Sequence, residues 1–151
     1  MGGSLKTKKN KSPTFLVWAM ADAQGTNLQR VQLIKGWLDN GESKEKVYDA
    51  TCSDGLEVDK SSHRCPENGA KVNLDDCSIS KNKGSRELKT LWKDPEFIED
   101  QEAFYYVRVL ENPVCRWSTW DAIRSNQLPR SDIKSTIQER AWSSPIWITN
   151  Y

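Results

Sequence analysis

Residues 115–124 read CRWSTWDAIR and bring together a thiol, two guanidinium groups, two indoles, two hydroxyls and a carboxylate. A catalytic constellation and a structural hinge both draw on such residue types. Catalysis would need a base, and the single histidine, His63, sits in a polar loop beside Arg64 and Cys65. With no second histidine in the chain it makes a poor start for a hydrolytic metal site, which takes several N and O ligands. Cys65 and His63 are two residues apart in a loop, a spacing that seldom aligns a thiolate with an imidazole. Asp54, Asp75 and Asp76 supply carboxylates for calcium but lack the spacing of an EF-hand loop. No glycine-rich phosphate loop and no G-x-S-x-G elbow is present. The expectation is therefore no catalytic residue, no metal ligand and no cofactor.

The same ten residues fit the hinge better. Ser118 stands three positions before Asp121, which resembles a capping box and predicts a short helix starting there. Trp120 and Ile123 would share its inward face, and Arg116 just outside it would stack on an indole or pair with an acid. Arg116, Trp117, Ser118, Trp120 and Asp121 are thus expected to form a structural hinge.

Cys52, Cys65, Cys77 and Cys115 are even in number, and three of them fall in a loop-rich stretch of 26 residues. Gaps of 12, 11 and 37 residues lack the close pairing of structural zinc sites, so disulfides and an oxidising compartment are expected. Cys52 ends one predicted strand and Cys77 lies in the next short segment, which suggests a Cys52–Cys77 bridge and leaves Cys65 with Cys115.

These residues have to be positioned by one core, since 151 residues suit a single domain. Twenty-two basic and twenty-one acidic side chains leave a net charge of +1, so no global field favours nucleic acid or an anionic membrane. The run KTKKNK at 6–11 reads as part of a flexible basic arm over 1–13. No segment is apolar for the roughly 20 residues a membrane helix needs.

TFLVWAMA (14–21) reads as a buried strand. NLQRVQLIKGWLD (27–39) places Val31, Leu33 and Trp37 on one side and Ile34 and Leu38 on the other. Asn40-Gly41 is a hairpin turn, and EKVYDATC (45–52) returns. Residues 53–71 form a polar excursion, and 71–79 offer a short alternating segment. Leu88, Leu91 and Trp92 stand at i, i+3, i+4 after Ser85 and Glu87, which predicts a helix ending at Asp94-Pro95. AFYYVRVLE (103–111) is a strand of strict period two, and QERAWSSPIWITNY closes the chain with a strand that Pro145 marks as an edge or bulge. The fold class expected over 14–151 is mainly β: a single antiparallel β-sandwich-like domain with one or two short helices.

Seven tryptophans exceed average usage. Trp and Tyr platforms on a β-sandwich would stack on sugars, which makes a carbohydrate-binding module the second reading. Trp18, Trp37, Trp92 and Trp142 lie within apolar or alternating segments, however, so core placement is expected for them.

Taken together, MGGSL, PTFLVWAMAD, NLQRVQLIKGW, AFYYVRVLENP, CRWSTWDAIR and TIQERAWSSPIW resemble, over residues 1–151, the C-terminal region of domain of unknown function family 3604. These are large bacterial proteins that usually carry an export signal, and MGG resembles an internal piece of the family sequence. The preceding part of the family resembles PHP-type metal-dependent hydrolases, and none of their His- and Asp-rich motifs occurs here. The resemblance implies a non-catalytic accessory or interaction domain. Its partner would be a hydrolase-like domain of the same family, or a second copy in a homo-oligomer. Its place would be periplasmic or secreted as part of an exported parent, and cytoplasmic if expressed from Met1 as written.

Overall fold

The computed structural model describes residues 2–6 and 11–149. Ten strands and one short helix follow in chain order: β1 (Gly3–Lys6), β2 (Thr14–Met20), β3 (Leu28–Asp39), β4 (Glu42–Cys52), β5 (Glu87–Lys93), β6 (Ala103–Glu111), β7 (Val114–Cys115), α1 (Trp117–Arg124), β8 (Thr136–Ile137), β9 (Arg140–Trp142) and β10 (Ile146–Thr149). The fold is mainly β, as expected. Six strands make the large sheet in the order β1-β10-β6-β3-β4, with β9 also pairing to β6. Only the β1–β10 pair is parallel within it. β2 and β5 form a separate antiparallel ribbon, and β7 pairs with β8.

Alternation sets the two layers. Phe15 and Val17 of β2 and Leu88 and Trp92 of β5 point inward, where they meet Val31, Leu33, Tyr48, Tyr105 and Ile148 of the sheet. The core is aromatic at its centre: the Trp92 ring lies 5.3 Å from Tyr48, 6.1 Å from Phe15 and 6.3 Å from Tyr105. The β3–β4 hairpin turns through Asn40 (φ 51°) and Gly41 (φ 82°), the paired left-handed conformation that the dipeptide predicted.

Gly36 in β3 lies directly beneath the Phe104 ring of its neighbour β6, so that a Cβ there would fall inside the ring. Gly36→Ala is expected to cost about 1–3 kcal/mol by overpacking, read as a lower urea midpoint with unchanged slope.

Three expectations need correction. Residues 87–93 are a strand, not a helix. Leu88 and Trp92 are four apart, a spacing that shares one face in both geometries. Only Leu91 distinguishes them, and it points outward opposite Leu16. The alternating segment at 71–79 reduces to one bridge, Val72 to Ile79, around a tight turn. The N-terminal arm includes a strand, since residues 3–6 pair with β10; of its basic run, residues 7–10 lie outside the described residues. The closing segment divides into β9 and β10 on either side of Ser143–Pro145, and residues 150 and 151 are outside the description.

Candidate functional site

Every polar group of CRWSTWDAIR that the expected hinge used can now be placed. Cys115 is bridged to Cys77. Arg116 precedes α1, its backbone N–H donating to Ser135 O (2.9 Å) and its Nε to Lys134 O (3.0 Å). Thr119 Oγ1 donates to Ser135 O at 2.8 Å. These bonds tie the helix to the segment entering β8.

The capping detail differs from expectation. Arg116, not Ser118, is the N-cap residue, no side chain caps the helix, the first turn holds no acidic residue because Asp121 falls beyond it, and the Ser118 hydroxyl is buried without a partner. The cause lies one step earlier: Arg116 N–H pairs with the Ser135 carbonyl next to the β7–β8 ladder, which sets the helix start at Trp117. Trp117 is exposed and Trp120 is half-buried under the Arg124 guanidinium, 5.1 Å from the ring centre. Ser118→Ala is accordingly expected to change stability by less than about 0.5 kcal/mol, because it removes a hydroxyl that has no bond to lose. Trp120→Ala is expected to cost about 1–2 kcal/mol, below the 3–5 of a full core truncation. Paired urea melts of the two variants test that order.

The disulfides join Cys52 to Cys65 and Cys77 to Cys115, which corrects both predicted pairs. After β4 ends, the chain loops back along it. Asp49 N–H donates to His63 O, and this return lays Cys65 against Cys52 with 5.7 Å between their Cα atoms. The bridge covers a polar cluster on the sheet. The Asp49 carboxylate, fully buried, accepts from Arg30 Nη1 (3.1 Å), Gln32 Nε2 (2.6 Å) and the Cys65 N–H (2.7 Å). Arg30 also donates to Cys65 O and to Glu67. A loop with few apolar residues is thereby held by charge-assisted bonds.

His63 packs edge-on against Tyr48 (5.2 Å), with Nε2 3.6 Å from Glu96 Oε1. The neighbourhood forms a pocket of about 430 Å³ lined by Lys35, Trp37, Tyr48, Glu96 and Phe97 among others. Sequence reasoning missed this meeting of β3, β4 and the 94–101 loop. Lys35 and Glu96, two of its charged residues, are paired within the chain. Lys35 Nζ lies 2.7 Å from Asp94 Oδ2 and 2.9 Å from Glu96 O, Tyr105 donates to the same Asp94 oxygen at 2.7 Å, and Glu96 pairs with Lys46. The bond from Lys46 holds the Glu96 carboxyl below its usual range.

Burial first, then the carboxylates nearby, hold both phenols well above their ordinary range. Tyr48 Oη is influenced by Glu96 but makes no hydrogen bond of good geometry. Neither phenol ionises near neutral pH, so neither supplies a nucleophile there.

Two of the three carboxylates considered for calcium accept hydrogen bonds from neighbouring groups of the chain. Asp54 accepts from Gly84 N–H, Ser53 and Asn68, while Asp76 accepts from Ser78 N–H. The Asp75 N–H donates to Asn73. Among the described residues, no three His, Cys, Asp or Glu side chains converge as a metal site.

The largest departure from expectation is on the outer face of the ribbon. Leu16, Trp18 and Met20 of β2 are 74%, 65% and 72% exposed, and Leu91 of β5 is 71% exposed. Trp142, 59% exposed on β9, shares a groove with Trp18. Trp92 is buried and Trp37 half-buried, as expected, but the core placement of Trp18 and Trp142 is wrong. TFLVWAM is apolar at every position but one, so periodicity could not say which side faced the core.

Carbohydrate binding gains no support from the ring geometry. Among the described residues the near-parallel ring pair is Phe104–Tyr106 (13°), both half-buried, and exposed Trp147 meets Phe104 tilted at 49°.

Residues 1–150 match the family model described as "Protein of unknown function (DUF3604)". The chain belongs to that family. No curated protein and no solved structure matches it. Membership accounts for the long, correctly ordered phrases from PTFLVWAMAD to TIQERAWSSPIW, and no activity follows from it. Among the described residues no helix is long and apolar enough to cross a membrane, and two disulfides are compatible with an extracellular location.

Proposed function

We propose that this DUF3604 chain is a non-catalytic accessory domain that docks on another protein domain through the outer face of the β2–β5 ribbon, in an oxidising compartment. The observation that carries the reading is the face itself. Leu16, Trp18 and Met20 of β2 and Leu91 of β5 stand 65–74% exposed on it, and large apolar side chains grouped on one surface mark an interaction site. Trp18, with Trp142 of β9 in the adjoining groove, adds the residue type most often found at the energetic centre of interfaces.

The absence of a role in catalysis is supported by the chemistry of the pocket at Tyr48: the Glu96 carboxylate is engaged by Lys46 and the Tyr48 phenol stays protonated. The partner is a hydrolase-like domain of the same family, with a second copy of this chain as the competing occupant.

The double variant Met20→Lys, Leu91→Glu tests this. Lys at 20 lies opposite Glu87, and Glu at 91 is flanked on its own face by Lys89 and Lys93, so the fold tolerates both. Stability should stay within about 0.5 kcal/mol, while association with the hydrolase-like part of a full-length family member, read by calorimetry, should fall at least tenfold. Unchanged association would overturn the docking face. Metal-dependent ester hydrolysis by the chain, lost in His63→Ala, would overturn the non-catalytic role.

A further inference from the structure

We propose that the groove beside β2 takes an extended, uncharged β-strand from the partner, which pairs with the free edge of β2 as a third strand of the ribbon. This rests on the docking role above and names how the partner engages.

β2 pairs with β5 along one edge, and no described strand pairs with the other. That open edge borders a groove of about 910 Å³. Val107 and Val109 of β6 form its floor, Val17 and Trp18 one wall, and Ala141 and Trp142 the other. The inner layer is thus one strand too narrow for the sheet beneath it. Val107 and Val109 pack on the core yet are only half-buried. A strand laid on β2 would cover them and satisfy the idle N–H and C=O groups of its edge.

Charge identifies the occupant's chemistry. None of the fourteen described residues lining the groove is charged, in a chain where 28% are. Two other outer strands follow the usual protection of edges: β4 carries Glu42, Lys44, Glu45 and Lys46, and β5 carries Glu87, Lys89 and Lys93. β2, TFLVWAM, carries none. Its seven residues span about 23 Å, room for a strand of similar length with apolar side chains toward Val107 and Val109. Gly3, beside which a Cβ would meet no heavy atom within 4 Å, leaves room for the close approach of a backbone.

A second copy's β2 fits less well. β10 and β1 lie beyond β6 on the groove side, and β2-to-β2 pairing would drive the two large sheets into the same space.

The test uses a nine-residue peptide of alternating valine and threonine with a lysine at each end, and two versions N-methylated at one or the other alternate set of amides. Tryptophan fluorescence reads binding, and amide exchange by NMR reads β2. The unmethylated peptide should bind and slow exchange at the β2 amides that point away from β5 at least tenfold. One methylated version should keep its affinity and the other lose at least tenfold, since only one set of amides faces β2. Ala141→Arg, an exposed change in the groove wall, should lower affinity at least tenfold with an unchanged circular dichroism spectrum.

No binding at millimolar peptide, or equal binding of both methylated versions, would overturn strand addition. So would a dimer in sedimentation that Ala141→Arg converts to monomer, since a second copy would then fill the groove. If the hydrolase-like domain binds but ignores Ala141→Arg, docking stands and strand addition falls. If the peptide binds as described and that domain does not, strand addition stands and the partner is wrong.

Discussion

Asp94→Ala is expected to lower the unfolding free energy by about 3–5 kcal/mol, the cost of leaving one partner of a buried ion pair alone. Asp94 is buried after β5 and does three things: it accepts from Lys35 Nζ and from Tyr105 Oη, both at 2.7 Å, and from the Glu96 N–H at 2.8 Å. Lys35 is 3% exposed, with its ammonium 5.5 Å and 5.9 Å from the ring centres of Trp37 and Tyr105. Removing the carboxylate leaves the buried Lys35 ammonium with only the Glu96 carbonyl and takes the acceptor from the Tyr105 hydroxyl. Lys35→Met should cost less than Asp94→Ala, because fewer bonds lose their only partner. The double variant Lys35→Met, Asp94→Leu should cost less than the sum of the singles, since apolar groups of similar volume then replace both charges. A urea double-mutant cycle reads the coupling; additive losses would show that the two side chains do not act as a pair.

Losing the Cys77–Cys115 disulfide is the second large effect. It closes 38 residues and the Cys52–Cys65 bridge closes 13, so chain entropy assigns them about 4 and about 3 kcal/mol. The paired variant Cys77→Ser, Cys115→Ser should therefore be the less stable of the two double-serine proteins. It also frees the 53–84 excursion from the start of α1. Non-reducing peptide mapping should find Cys52 with Cys65 and Cys77 with Cys115. Detection of Cys52 with Cys77 would restore the pairing suggested by chain order. Thermal melts with and without reductant then compare the two variants.

Some of this architecture was legible because a single period is enough to specify it. AFYYVRVLE alternates so strictly that its two faces, Tyr105, Val107 and Val109 against Phe104, Tyr106, Arg108 and Leu110, separate without a partner strand, and the sheet turns the first set to the core. Asn40-Gly41 names its own turn, since few other residues tolerate two left-handed positions in succession. Leu88-x-x-Leu91-Trp92 misled for the opposite reason: two of its three apolar residues obey both periods, and only pairing with β2 decides between them.

What the sequence determines by itself is therefore local or global in the simplest sense. It sets a mainly β chain with a short helix within CRWSTWDAIR, an even set of cysteines, a balanced charge, and phrases long enough to place it in its family, but it also offers a second helix that does not form. What only the tertiary structure decides depends on residues far apart in the chain. Asp49, Arg30 and Cys65 meet because the loop after β4 doubles back, and that return selects one disulfide pairing among three. Lys35, Asp94 and Tyr105 meet because β3, β6 and the end of β5 converge. Trp18 faces outward because the ribbon has two strands over a sheet of six, and a strand apolar on both sides must leave one of them uncovered.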